Sequence, residues 1–211
     1  MFKKAVLILS LLICILSVNV SALQVGDDFL VYGKDNEKMS QTLGMSETEI
    51  EQYCKTNNIV FLAVNSDNTK QIRKTEITDS FTQKIGNLSV MKNADILALQ
   101  DSLCSVDGVS GEIIEKQEFK YLKVEAKTKD SGGEYVLTQY VTVKDGKKHT
   151  LSFYTANGEN RDYTQKVFNS QFKDTGVLKV IVILSICLFA VLAVVIIVLL
   201  IKDYKKEKAT D

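Results

Sequence analysis

The chain has 211 residues and 26 basic against 26 acidic side chains, a formal net charge of zero. Two apolar stretches, 5–22 and 180–201, occupy its ends, and the 154 residues at 23–176 carry 19 Lys and Arg against 23 Asp and Glu, a net of −4. That balance excludes the basic footprint of a nucleic-acid binder, the 45% apolar content excludes a disordered chain, and the length of the middle suits one domain with a real core.

In residues 1–22, Lys3 and Lys4 precede an apolar run, and Val20-Ser21-Ala22 offers small residues at a cleavage position. This is the layout of a secretory signal peptide, with an uncleaved N-terminal anchor as the other reading. Ile13, ahead of Cys14, is not the small residue that a lipoprotein signal requires.

The spacing predicts a first helix over 46–57, opened by a capping box of Ser46 and Glu49. Ile50, Tyr53 and Cys54 fall on its apolar face. Residues 59–64 (IVFLAV) form a continuous apolar run, the pattern of a strand covered on both faces. Residues 70–78 read as a weaker, more exposed strand. A second helix is expected at 92–104, with Ile96, Leu97, Leu99, Leu103 and Cys104 on one side. Gly108 and Gly111 then mark a loop.

Leu122, Val124 and Ala126 alternate with Lys123, Glu125 and Lys127, a strand with one wet face. A turn at 130–133, a β-branched and aromatic run at 135–143, the turn Asp145-Gly146 and a returning run at 148–155 complete a meander over about 119–156. A last amphipathic helix at 160–172 turns Thr164, Phe168 and Phe172 to one side. The fold class is α+β, an antiparallel sheet packed by helices, plus one C-terminal transmembrane helix.

Residues 180–201 are 22 consecutive uncharged residues, interrupted only by Ser185 and Cys187. As a helix they span about 33 Å, the thickness of a bilayer's hydrocarbon core. Lys202, Lys205, Lys206 and Lys208 follow at once and mark that side as cytoplasmic. The expected organisation is a signal peptide (1–22), an extracytoplasmic domain (23–176), a transmembrane helix (177–201) and a cytoplasmic basic tail (202–211). The chain would be a single-pass plasma-membrane protein whose first partner is the lipid bilayer. The seven residues 173–179 reach at most about 25 Å, so the domain would ride close to the lipid.

Candidate chemistry is sparse. His149 is the one imidazole of the chain, and it shares a strand face with Leu151 and Phe153, which suits a structural or rim role. No nucleophile elbow, zinc-protease, P-loop or dinucleotide motif occurs, so no catalytic, cofactor or metal residue is assigned. Cys54 and Cys104 form either a disulfide closing a 50-residue loop, worth about 4 kcal/mol in the chain-entropy model, or two small buried hydrophobes. Asp27-Asp28 and Asp67-Asn68 read as solvated loops, and Asn87-Leu88-Ser89 matches a glycosylation sequon. Tyr121, Tyr135, Tyr140 and Tyr154 either line a ligand groove or serve the sheet as cross-strand aromatics.

The stretch YVLTQYVTVKDGKKHTLSFYTA (135–156), followed by a terminal helix ending FNSQF (168–172), resembles the closing hairpin and helix of the PsbP, Mog1 and DcrB-like fold. The resemblance implies a non-enzymatic α-β-α domain used for assembly or partner binding, often near membranes, and carries over no functional residue. The expectation is a membrane-anchored extracytoplasmic binding or assembly domain of a bacterial envelope, partnered by another membrane or envelope protein. The alternatives are a sensor or carrier of a small apolar or cell-wall ligand, held between sheet and helices, and a hydrolase relying on carboxylates alone.

Overall fold

A computed structural model describes residues 23–130, 133–156 and 161–172. The signal read at 1–22, the span at 177–201, the tail at 202–211, and residues 131–132 and 160 of the expected turn and helix lie outside the described residues. Among the described residues no helix is long and apolar enough to cross a membrane.

The chain opens with β1 (Phe29–Val31), α1 (Asn36–Leu43) and α2 (Glu47–Thr56), then β2 (Ile59–Asn65) and β3 (Lys70–Ile77). Three short helices follow, α3 (Ser80–Ile85), α4 (Asn93–Ala98) and α5 (Gln100–Leu103), with a 3-10 turn at Leu88–Val90. The second half is β4 (Gly111–Lys116), β5 (Phe119–Asp130), β6 (Gly133–Lys144), β7 (Lys147–Ala156) and α6 (Arg161–Ser170). All seven strands join one sheet in the order β1-β2-β3-β7-β6-β5-β4, and every neighbouring pair is antiparallel. Two meanders, β1–β3 and β4–β7, thus close on each other through β3 and β7. The α+β expectation and the 119–156 meander hold.

Local chemistry fixes the turns. At the start of α2, Ser46 Oγ accepts from the Glu49 amide (3.3 Å) while Glu49 Oε2 accepts from the Ser46 amide (2.7 Å), the expected capping box. Between β6 and β7, Asp145 (φ 52°) and Gly146 (φ 73°) both take left-handed backbone, the geometry of a type I′ turn. The Gly146 amide donates to the Gly86 carbonyl (2.8 Å), tying the hairpin tip to the end of α3.

Cross-strand register separates the two faces. Ala63, Ile72 and Phe153 are successive partners on one face and pack with Leu151, Tyr140 and the α6 residues Val167 and Phe168. On the opposite face Leu62 and Val64 pack under α1 and α2 with Met39, Ile50 and Cys54. Further along that face Leu122, Val124, Val141 and Val143 pack under α3–α5 with Leu88, Ile96 and Leu103. Helices therefore cover both faces.

Six elements differ from the sequence expectation or are absent from it. Gly111, expected in a loop, begins edge strand β4. A Cβ there would lie 2.6 Å from Leu122 Cδ1 and 2.9 Å from Val124 Cγ1, so a larger residue would have to displace those buried side chains. The strand at 70–77, expected to be exposed, sits at the sheet centre between β2 and β7, its polar side chains half-buried and Ile72 fully buried. The helix expected at 92–104 is two short helices kinked at Leu99, whose amide is shared between the Asp95 and Ile96 carbonyls. Leu97, assigned to the covered side, is 43% exposed. β1, α1 and α3 had no counterpart in the sequence reading. Cys54 and Cys104 are both free and buried, in the two separate clusters of the helix-covered face. The structure therefore holds the two small hydrophobes rather than the bridge.

Candidate functional site

The helix α6 roofs only part of its face. Phe168 stacks on Tyr140 at 3.8 Å between ring centroids, and the edges of Tyr121 and Phe172 meet it at 5.0 and 5.2 Å. Beside Gln171 and Phe172 the sheet forms a cleft of about 260 Å³. Its floor is Tyr140, Thr142, Tyr121 and Leu151, with Thr150 beside them. One rim is Lys74 and His149, another is Lys144 and Phe119, and the helix side is Gln171 and Phe172. Gln117 on the β4–β5 turn donates to the Phe172 carbonyl (3.2 Å) and pins the end of the roof.

Charge in this cleft is one-sided. Its lining holds two lysines and no carboxylate. The adjacent acid, Glu76, faces His149 Nδ1 at 3.3 Å and Lys74 Nζ at 3.6 Å. Lys144 instead sits over the Phe119 ring at 4.6 Å. Among the described residues Lys144 forms no ion pair. Burial holds the His149 imidazole below its ordinary value, Lys74 and Lys147 add to that, and Glu76 opposes it. At neutral pH the ring is uncharged and Glu76 is shared by histidine and lysine. Burial also pushes the Tyr121 hydroxyl up to about 12, and raises that of Tyr140. Both tyrosines offer protons for hydrogen bonds and do not ionise.

The opposite face carries polar side chains of another kind. Register aligns Leu62, Arg73, Ser152, Gln139 and Val124 in one row across five strands. Gln139 is 3% exposed and its amide donates to Ser105 Oγ (2.7 Å) and Ser152 Oγ (3.0 Å). The Arg73 guanidinium lies 4.2 Å over the Tyr154 ring and 5.3 Å from that of Tyr53, and its Nε donates to Gln71. Each polar group in this row meets a partner from the chain itself.

His149 sits where the sequence put it, beside Leu151 on the rim. The four tyrosines divide: Tyr121 and Tyr140 line the cleft, whereas Tyr154 and Tyr135 belong to the other face by alternation along β6 and β7. Asp67 closes the β2–β3 turn, accepting from the Thr69 amide and hydroxyl (3.1 and 2.6 Å), which hold its carboxyl below the usual range. Asn87 of the sequon accepts from the Ser89 amide (2.9 Å), and Leu88 between them is fully buried. Among the described residues no group of three or more His, Cys, Asp and Glu gathers into a metal site. Lys74, Lys144 and Phe119 are not singled out by the sequence, and Phe172 only as a residue of the last helix's apolar side, because a lysine on a strand and an aromatic near a turn look the same whether or not they border a cleft.

No family model matches the chain, and no curated protein does. Among solved structures, one from Bacteroides thetaiotaomicron is similar at 15% identity and a TM-score of 0.36, over 51% of this chain and 36% of that one. This chain thus spans little more than a third of that protein's length. LpqN, a Mycobacterium tuberculosis protein involved in cell envelope biogenesis, is similar at 13% identity and a TM-score of 0.34, over 71% of this chain and 76% of that one. Neither is a PsbP, Mog1 or DcrB protein.

Proposed function

We propose that this chain is a membrane-tethered extracytoplasmic binding domain, and that its ligand occupies the cleft at the end of α6. The observation that carries the binding role is the cleft itself: aromatic walls and two rim lysines, of which Lys74 pairs with Glu76 and Lys144 forms no ion pair among the described residues. Ligand sites combine such apolar walls with a few placed polar groups. A binding role rather than a catalytic one is supported by the state of the titratable groups. The adjacent acid is engaged by His149 and Lys74, and burial keeps the tyrosines protonated.

The tether is argued from the sequence. The apolar run at 180–201 and the lysines at 202–208 read as a span with its C-terminal side in the cytoplasm. Seven residues, 173–179, separate Phe172, which lines the cleft, from that run in the sequence. The resemblance of 135–172 to the PsbP, Mog1 and DcrB-like fold belongs to this reading, since helices on both faces of the sheet fit the layering it implies.

The experiment is lysine labelling of the full chain in intact cells with a membrane-impermeant amine reagent. Lys55, whose side chain is 69% exposed, is expected to react in intact cells, and Lys202, Lys205, Lys206 and Lys208 only after permeabilisation. Reaction of the tail lysines in intact cells with Lys55 protected would overturn the placement.

A further inference from the structure

We propose that the cleft takes a phosphoryl group, the charged end of a larger molecule whose remainder stays outside. The inference rests on reading the cleft as the ligand site.

Size is the first argument. A pocket that encloses a drug-sized molecule has a volume of about 300–1,000 Å³. At about 260 Å³ this cleft is sized for a head group rather than for a whole drug-sized molecule.

Charge is the second. Lys74 and Lys144 border the volume from β3 and β6; Glu76, outside the lining, pairs with Lys74 at 3.6 Å, and Lys144 forms no ion pair among the described residues. The Lys144 contact with the Phe119 ring at 4.6 Å orients the ammonium without neutralising it. An anion between the two lysines would gain charge-assisted hydrogen bonds without displacing an acid from Lys144.

Donor type is the third. Lysine offers point charges that a phosphoryl group, with several acceptor oxygens, meets from different directions. Arg73 faces the other side of the sheet between Tyr53 and Tyr154. On the cleft side Thr142 Oγ1 already donates to the Lys120 carbonyl (2.8 Å), so it can accept from a protonated phosphate oxygen but has no second proton to give. Phe119, Tyr121 and Phe172 supply an apolar wall for the group bonded to the phosphate.

The phosphoryl group can belong to a lipid head or to a soluble phosphate ester, and titration calorimetry of the full chain in maltoside detergent separates them. The probes are phenyl phosphate against phenol, and dihexanoyl phosphatidic acid against dihexanoylglycerol. Each phosphorylated probe is expected to bind more tightly than its neutral counterpart. The Lys74→Met/Lys144→Met double variant should weaken that binding by at least about tenfold, and Lys144→Arg should retain most of it. Tighter binding of the phosphatidic acid than of phenyl phosphate assigns the lipid source, and the reverse assigns a soluble ester. Phosphorylated probes that bind no tighter than neutral ones overturn the phosphoryl inference and leave the cleft standing as a site. The same holds for an undiminished affinity in the double variant with its near-ultraviolet dichroism intact. Thr142→Trp, which fills the cleft, tests the underlying reading: binding that persists in that variant, folded by the same dichroism, places the ligand elsewhere.

Discussion

The two faces of the sheet solve the same problem in opposite ways. Both place polar side chains at the centre of a sheet whose neighbours are apolar. On the face under α1–α5, Gln139, Ser105 and Ser152 satisfy one another, and Arg73 is stacked with Tyr154 and Tyr53. On the face under α6, Lys74, Lys144 and His149 border a cleft beside Phe172. A buried polar group without a partner is costly, so a closed network stabilises, whereas Lys144, with no ion pair among the described residues, is available to a ligand at the cleft. On the proposed function, one face serves stability and the other binding.

The sharpest way to break this division is to remove the roof. Phe168→Ala deletes a ring that is 1% exposed and meets Tyr140, Tyr121 and Phe172. Urea unfolding should show a loss of about 3–5 kcal/mol, and a loss under about 1 kcal/mol would mean that α6 is not the cover of this core.

On the opposite face, Gln139→Leu strands the Ser105 and Ser152 hydroxyls, and the same measurement should report about 1–3 kcal/mol. Arg73→Met keeps the length of the side chain but removes the charge over two rings, a loss of about 1 kcal/mol. Neither variant should change affinity at the cleft. A large affinity loss in Arg73→Met would put the binding on the wrong face.

The smallest effect is a pH dependence. Because the folded chain holds His149 below its ordinary value, the unfolded state takes up a proton that the folded state resists. The stability tied to the neutral ring is complete well above the ordinary histidine value of about 6.5, and it is lost as pH falls from there through the lowered folded value. Glu76 reduces the effect, while Lys74 and Lys147 enlarge it. Between about pH 7 and pH 5.5 the chain should lose more stability than the His149→Gln variant does. Identical slopes would show that the ring is not held neutral by burial.

What the sequence revealed follows from where the physics is local. The capping box at Ser46 and Glu49, the Asp145-Gly146 turn and the alternation through Leu122 and Val124 depend on residues a few positions apart, and all three recur in the structure. β3 was misjudged because its polar residues are masked by partners distant in sequence: Arg73 by Tyr154, and Lys74 and Glu76 by β7. Gly111 was read as a loop because glycine signals a turn more often than a close approach between strands. The cleft was illegible because it requires Lys74, Lys144 and Phe172 together, and only the pairing of β3 with β7 and the docking of α6 bring them there.

The division of the two faces is tested most directly by mapping amide chemical shifts of the isotope-labelled full chain in detergent as phenyl phosphate is added. The account predicts changes gathered at Lys74, Thr142, Lys144, His149 and Phe172, with Ser105, Gln139 and Ser152 still. Changes centred on Arg73 and Tyr154, or none at the cleft residues, would contradict it.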